Sequence, residues 1–242
     1  MDLNLGGIFL SEMLGTFFLI LIGCGVNASV NLKKTYSNNS GWIVISFGWG
    51  MGVMIGAAVA FYSGGHLNPA VTLAMWAEST IDTGQAFVYF AGELVGAFLG
   101  ALLVAFLFWD HFKETKDQKA VAGTFHTTPA IPRWYRNLAT EMFATSALVL
   151  PLLALTEAGW DTLILGPLFA GLLVLGIGLT LGGLTGYAIN PARDLMPRLV
   201  HQIVKIPNKG TSNWQYSWVP IIGPLMGSML AVAFYELILV AI

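Results

Sequence analysis

The sequence predicts an all-α integral membrane protein, with six transmembrane helices and two re-entrant half-helices in inverted repeats. Three observations predict it. Of the 242 residues, 56% are hydrophobic and only 10% charged, with a mean hydropathy of +0.72, whereas soluble domains carry about a quarter charged residues. Several apolar runs exceed the roughly 18 to 20 residues needed to cross a bilayer. Finally, an Asn-Pro-Ala core occurs twice, in "SGGHLNPAVTLAMW" and "LTGYAINPARDLMP", each time opening a segment too short to span.

The same composition excludes other classes. A net charge of −2 gives no basis for a nucleic-acid partner. The single cysteine, Cys24, lies inside the first apolar run, so there is neither a disulfide framework nor a thiolate metal site. No cofactor or metal is expected. The first run is longer than a signal-peptide core and lacks a basic start, so it reads as a true span.

The spans run roughly Gly7 to Asn31, Gly41 to Phe61, Gln85 to Trp109, Asn137 to Leu155, Thr162 to Leu181 and Trp214 to Val240. Two shorter segments remain, Pro69 to about Glu78 and Pro191 to about Val204. At 1.5 Å per residue each reaches about half-way across a hydrocarbon core of roughly 30 Å.

The two halves also resemble each other. "SEMLGTFFLILIGCG" around Glu12 matches "TEMFATSALVLPLLA" around Glu141, and "GAFLGALLVAF" from Gly96 matches "GPLMGSMLAVAF" from Gly223. With the Asn-Pro-Ala pair, these set one repeat at about 1–110, a connecting loop at about 111–133 and a second repeat at about 134–242. Three spans per repeat is an odd number, so the second copy enters the membrane upside-down. Interrupted segments at matching positions of inverted repeats point to a midplane transport site.

The breaks have a local cause. Irregular backbone at membrane depth survives only where it is buried in protein or lines a wet cavity. Proline suits the first helical turn, so Pro69 and Pro191 each start a half-helix with Asn68 and Asn190 in the cap position. Inversion points both N-termini at one another, with Ala70 and Ala192 completing the motifs. Two asparagine amides and two positive helix ends then face one space. A neutral solute accepts hydrogen bonds there, and a cation or hydronium is disfavoured. Carbonyls of Gly64, Gly65 and His66, and of Gly186, Tyr187 and Ala188, are free to form a ladder of acceptors.

On "SGGHLNPAV", "GYAINPARD" and the whole-chain pattern, the sequence resembles the major intrinsic protein family, the aquaporins and glycerol facilitators. The resemblance implies one pore per subunit, four subunits per assembly, and a cell-membrane channel with cytoplasmic termini. It places the arginine of the outer selectivity filter on Arg193. Water channels usually carry a histidine twelve residues before the second asparagine; here that position is Gly178. The aromatic that fills this room in glycerol channels falls on Tyr187, where phenylalanine is usual, and Asp194 matches the glycerol subgroup. "WGMGV" resembles the glycerol-facilitator tryptophan, which puts Trp49 in the filter. Trp49 lies nineteen residues before Asn68, where the family usually has twenty. Either the loop near Phe61 and Tyr62 is one residue short, or Gly48 faces the pore. The first is favoured, because loops absorb deletions more easily than packed helices.

Glu12, Glu141 and Glu93 are intramembrane carboxylates, which are costly and usually functional. Repeat-matched positions assign Glu12 and Glu141 to holding the backbone of the broken loops, as the family pattern implies, rather than to a proton relay. Glu93 has no evident counterpart. One conflict concerns orientation: all eleven basic residues lie in the pore or on the side away from the termini, which the positive-inside rule would make cytoplasmic. The family placement takes precedence, on the expectation that charged tails are missing beyond Ile242. The function expected is a passive channel for small neutral solutes, chiefly glycerol with water. Dihydroxyacetone, urea, hydrogen peroxide and protonated lactic acid fit the same filter. The alternatives are a water-selective pore and a proton-coupled transporter; no catalysis is expected.

Overall fold

The computed structural model describes residues 4–159 and 163–241. Thr162, the expected first residue of the fifth span, and Ile242 lie outside them. Every regular element among the described residues is helical. The long helices are α1 (Leu5–Asn31), α2 (Trp42–Val59), α4 (Thr83–Leu107), α7 (Trp134–Glu157), α8 (Leu165–Thr180) and α11 (Val219–Ala241), and the half-helices are α3 (Pro69–Ala77) and α10 (Pro191–Ile203). Three short helices complete the set among the described residues: α5 (Trp109–Glu114), α6 (Gln118–Ala122) and α9 (Gly182–Thr185).

Local chemistry sets several of these boundaries. The Asn4 side chain accepts from the Gly7 amide at the start of α1. Asp82 and Gln85 form a capping box at the start of α4, which satisfies two otherwise unpaired N–H groups. Among the described residues, five helices are long and apolar enough to cross a membrane by length and composition. The sixteen-residue α8 is shorter, about 24 Å at 1.5 Å per residue, and after a break at Leu181 the chain continues as α9.

Two sequence expectations need correcting. The segment 111–133 is not a plain loop, since it holds the end of α5 and all of α6. The last span begins at Val219, not Trp214: residues 214–218 form turns, and Asn213 takes a left-handed conformation at φ 47°. Buried Arg198 binds the carbonyls of Ser212 and Asn213, which holds this stretch out of the helix, and Pro220 sits in the helix's first turn.

Helix α1 packs chiefly on α4, α7 on α11, and α2 on α8 and α1. Glycine permits these approaches. A Cβ at Gly50 would lie 2.8 Å from the Gly171 carbonyl, and one at Gly171 would lie 2.7 Å from the Gly50 carbonyl. Such reciprocity is what a pseudo-two-fold axis between α2 and α8 requires. In the absence of a hydrophobic drive between helices in lipid, small residues that let backbones meet are the main packing device.

These contacts also correct the register of the repeats. A Cβ at Gly92 would meet Cβ of Glu12, and one at Gly223 would meet Cβ of Glu141; Gly96 and Gly227 face the carbonyls of Met13 and Met142. Gly223 therefore corresponds to Gly92, one helical turn before the Gly96 that sequence matching chose. A Gly-x-x-x-Gly ridge repeats every four residues, so its sequence matches itself after one turn. Glu93 then falls opposite Pro224.

The α1–α4 contact yields a prediction. A Cβ at Gly96 would sit 2.2 Å from the Met13 carbonyl oxygen, whereas nothing lies within 4 Å of one at Gly25. Gly96→Val is expected to lower the thermal unfolding temperature of the detergent-purified protein, because overpacking typically costs about 1–3 kcal/mol. Gly25→Ala serves as the control and should leave it near the native value. Equal behaviour of the two would contradict the packing described.

Candidate functional site: a conduit between two half-helices

The N-termini of α3 and α10 meet inside the bundle. Asn68 Nδ2 donates to the Ile189 carbonyl at 2.8 Å, and Asn190 Nδ2 donates to the Leu67 carbonyl at 2.7 Å. Each asparagine thus grips the loop of the other half. Their Oδ1 atoms accept from the Ala70 and Arg193 amides, at 2.9 and 3.1 Å. A primary amide has two N–H donors, so each asparagine retains one, and both residues line the same cavity of about 340 Å³. The two helix N-termini add partial positive charge at this point.

Extended segments lead into each half-helix, and their backbone is strained. Leu67, Tyr187 and Ile189 have φ values of 56°, 36° and 45°, in a region non-glycine residues visit at a cost of about 1–3 kcal/mol. Two carboxylates hold them. Glu12 Oε1 accepts from the His66 amide (3.0 Å) and the Ser63 hydroxyl (2.6 Å), and Oε2 accepts from the Leu67 amide (2.7 Å). Glu141 accepts from the Ala188 and Ile189 amides at 3.0 and 2.8 Å. Both carboxylates are fully buried. The His66 and Ala188 amides turn to the glutamates, the Gly65 amide to the Ser63 hydroxyl and the Tyr187 amide to the Thr185 hydroxyl. Gly64, Gly65, His66, Tyr187 and Ala188 line the conduit, and no protein donor among the described residues reaches their carbonyls. The Gly186 carbonyl differs, because Arg193 Nη2 donates to it at 3.3 Å.

Beyond the asparagines, the 340 Å³ cavity meets a vestibule of about 700 Å³, and Trp49, Tyr187 and Arg193 line both. These three side chains mark the junction of the two spaces. Trp49 is buried, with the Arg193 guanidinium 3.9 Å from its ring centroid, close enough for a cation–π contact. Gly48 faces the other way, since a Cβ there would overlap Val26. Tyr187 lies in a notch left by Gly178 and Gly182, where added Cβ atoms would come within 2.9 and 2.5 Å of its side chain. Trp42 closes this notch, stacking edge-on to Tyr187 and donating Nε1 to the Gly178 carbonyl.

Several residues that organise the site were not singled out in the sequence. Leu67 and Ile189 supply the carbonyls that bind the asparagines. Asn27 accepts from Trp49 Nε1 at 3.1 Å and donates to the Gly123 carbonyl at 3.0 Å; the only signal for it was a polar residue within an apolar run. Arg198 had counted as one more basic residue, yet it forms a buried ion pair with Asp194 at 2.6 Å. The i,i+4 spacing on α10 was visible, but its partners Thr127 and Ser212 were not. Glu93 accepts from the Thr72 hydroxyl at 2.6 Å, and Thr72 in turn contacts His66 Nδ1 at 2.9 Å. Among the described residues no three His, Cys, Asp or Glu groups are placed to hold a metal.

A bundle of membrane-spanning helices enclosing two re-entrant half-helices, with a cavity at their facing N-termini that meets a vestibule beside an arginine, defines a multi-pass membrane channel. The chain belongs to the major intrinsic protein family, whose model matches residues 3–235. It is 47% identical over 229 residues to the glycerol uptake facilitator protein of Bacillus subtilis, covering 94% of this chain and 83% of that one. It is 46% identical to glycerol uptake facilitator protein 3 of Lactiplantibacillus plantarum, covering 95% of both chains. The solved aquaglyceroporin of Plasmodium falciparum superimposes with a TM-score of 0.83 at 30% identity, covering 96% of each chain.

Proposed function

We propose that the protein is a passive channel for small neutral polyols, chiefly glycerol, with water as a co-permeant, and that it excludes protons and ions. The observation that carries this reading is the junction of cavity and vestibule lined by Trp49, Tyr187 and Arg193, which we take as a second constriction after the asparagine pair. The aromatic pair Trp49 and Tyr187 supplies apolar surface suited to a CH₂ backbone. Arg193, packed on the Trp49 ring, supplies N–H groups that suit hydroxyl oxygens. Pore asparagines Asn68 and Asn190 take over the same hydrogen bonds further in, and the carbonyls along each loop accept the solute's hydroxyl protons. A cation would meet Arg193 and two positive helix ends in succession. Urea, dihydroxyacetone, hydrogen peroxide and protonated lactic acid have matching size and polarity.

The commitment of Glu12 and Glu141 to backbone amides supports a scaffold rather than a proton relay. We further assign the protein to the cell membrane, with cytoplasmic termini and four subunits per assembly, on the family resemblance.

Proteoliposomes in a glycerol gradient test the reading: shrinkage no faster than in empty vesicles overturns it. A selectivity test follows from Tyr187. A histidine at Gly178 needs the space that the tyrosine occupies, so Gly178→His alone is overpacked. The pair Gly178→His with Tyr187→Ala is expected to cut glycerol flux about tenfold or more while water still passes, since even one methylene's difference in a pocket is worth about 1–3 kcal/mol in discrimination. Glycerol flux equal to the native value would remove Gly178 and Tyr187 from the filter.

A further inference from the structure

We infer that Asn27 is a positioning residue for solute selection: it fixes the edge of Trp49 and so sets the width and chemistry of the second constriction. This rests on the reading of that constriction as the polyol filter. Trp49 is held from three sides by groups of different kinds. Its six-membered ring lies on Gly23, where a Cβ would approach within 2.3 Å. Its face is covered by Arg193. Its Nε1 donates to Asn27 Oδ1 in a buried bond. Gly23 and Asn27 stand one turn apart on α1, so a single helix face supplies both the seat and the hydrogen bond.

The consequence is chemical as well as steric. An indole has one N–H and no acceptor, and here that donor is taken. Trp49 therefore offers a passing solute only apolar surface, leaving Arg193 as the source of N–H donors at this level. Were Nε1 free, the constriction would offer donors on two sides, and the ring could turn about its side-chain torsions. Asn27 engages both ends of its amide, because its Oδ1 holds Trp49 and its Nδ2 donates to Gly123 just after α6. Asn27 also lines the vestibule beside Gly123, so the roof of the vestibule and the aromatic wall hang on one side chain.

Two measurements test this. In protein labelled with nitrogen-15 tryptophan, Trp49→Phe identifies the Trp49 indole N–H, one among eight. Its exchange with deuterated solvent is expected to be at least about tenfold faster in Asn27→Leu, since a buried hydrogen bond protects it. Asn27→Asp keeps the acceptor for Trp49 and gives up the bond to Gly123, so slow exchange should persist. Fast exchange in Asn27→Asp, or unchanged exchange in Asn27→Leu, overturns the inference, and neither result depends on which solute the pore conducts. The second measurement is the glycerol-to-erythritol permeability ratio in proteoliposomes. Asn27→Leu should lower it about threefold to tenfold, the scale of one lost hydrogen bond, and should have no further effect in a Trp49→Phe background. An equal drop in both backgrounds would place the effect in the Gly123 contact and overturn the assignment. Failure of the wild-type protein to pass glycerol would overturn the polyol reading instead, while the exchange result still decides what Asn27 does to Trp49.

Discussion

Asp194→Ala is expected to lower the thermal unfolding temperature of the detergent-purified protein by about 10 °C and to abolish most solute flux. Four hydrogen bonds converge on this carboxylate. Oδ1 accepts from Arg198 Nε and Nη2 at 2.8 and 2.6 Å, and Oδ2 accepts from the Thr127 amide and hydroxyl at 2.8 and 2.6 Å. Asp194 and Arg198 are both wholly buried. Removing one member of a buried pair leaves the other charge uncompensated, at about 3–5 kcal/mol. For a chain of this size each kcal/mol moves the midpoint by about 2–4 °C.

The loss would spread to the pore, because Arg198 also donates to the carbonyls of Thr127, Ser212 and Asn213. Those segments border the vestibule, so its roof would come loose. Asp194→Asn is not a rescue, since its amide N–H₂ must face donors on one side or the other. Removing both charges, as Asp194→Leu with Arg198→Met, should recover only part of the stability: no uncompensated charge stays buried, but the Thr127, Ser212 and Asn213 backbone groups still lose their partners. A midpoint for Asp194→Ala within about 2 °C of native would show that this pair does not anchor the loops.

How far the sequence could foresee this arrangement depends on how local each cause is. Both half-helices were legible nearly to the residue, because proline in the first turn and asparagine at the cap act on their own neighbours. The carboxylate–loop pairing was legible too, because repeat symmetry gave each of Glu12 and Glu141 an independent copy. Non-local contacts were not. Asn27 meets Gly123 across 96 positions, and Arg198 meets Thr127 across 71. Nothing in the neighbourhood of either residue marks its partner. The glycine ridge failed for the opposite reason: its local pattern was clear but repeats each turn, and only contact with Met13 and Met142 chose between registers. At Trp49 the count from Asn68 left two candidates. Its indole seated on Gly23 and Asn27, with Gly48 turned onto Val26, is a relation between α1 and α2 that no count along one chain segment contains.

Glu141→Ala is the second large effect expected, and its cause lies in backbone strain. Ile189 and Tyr187 adopt left-handed φ values just before Asn190, and nothing in their side chains favours this. The conformation persists because Ala188 and Ile189 both turn their N–H groups onto one buried carboxylate. Without it, two buried donors go unpaired at about 1–3 kcal/mol each, and the strain, about 1–3 kcal/mol per residue, is no longer held in place. Relaxation would rotate the carbonyls away from the conduit and draw Asn190 from its bond with Leu67. Flux in proteoliposomes should therefore fall by at least about tenfold, in step with a lower thermal midpoint. Glu141→Gln should lie between, since one oxygen still accepts while the amide N–H₂ opposes the other backbone donor. Glu12→Ala should resemble Glu141→Ala, because Glu12 holds His66 and Leu67 in the same way and also accepts from Ser63. A proton-coupled carrier predicts a different pattern, in which Glu→Gln leaves stability intact and removes only the dependence of uptake on a pH difference. Native thermal midpoints in both alanine variants, with flux that responds to an imposed proton gradient in the wild type, would assign these carboxylates to proton transfer and remove them from the scaffold.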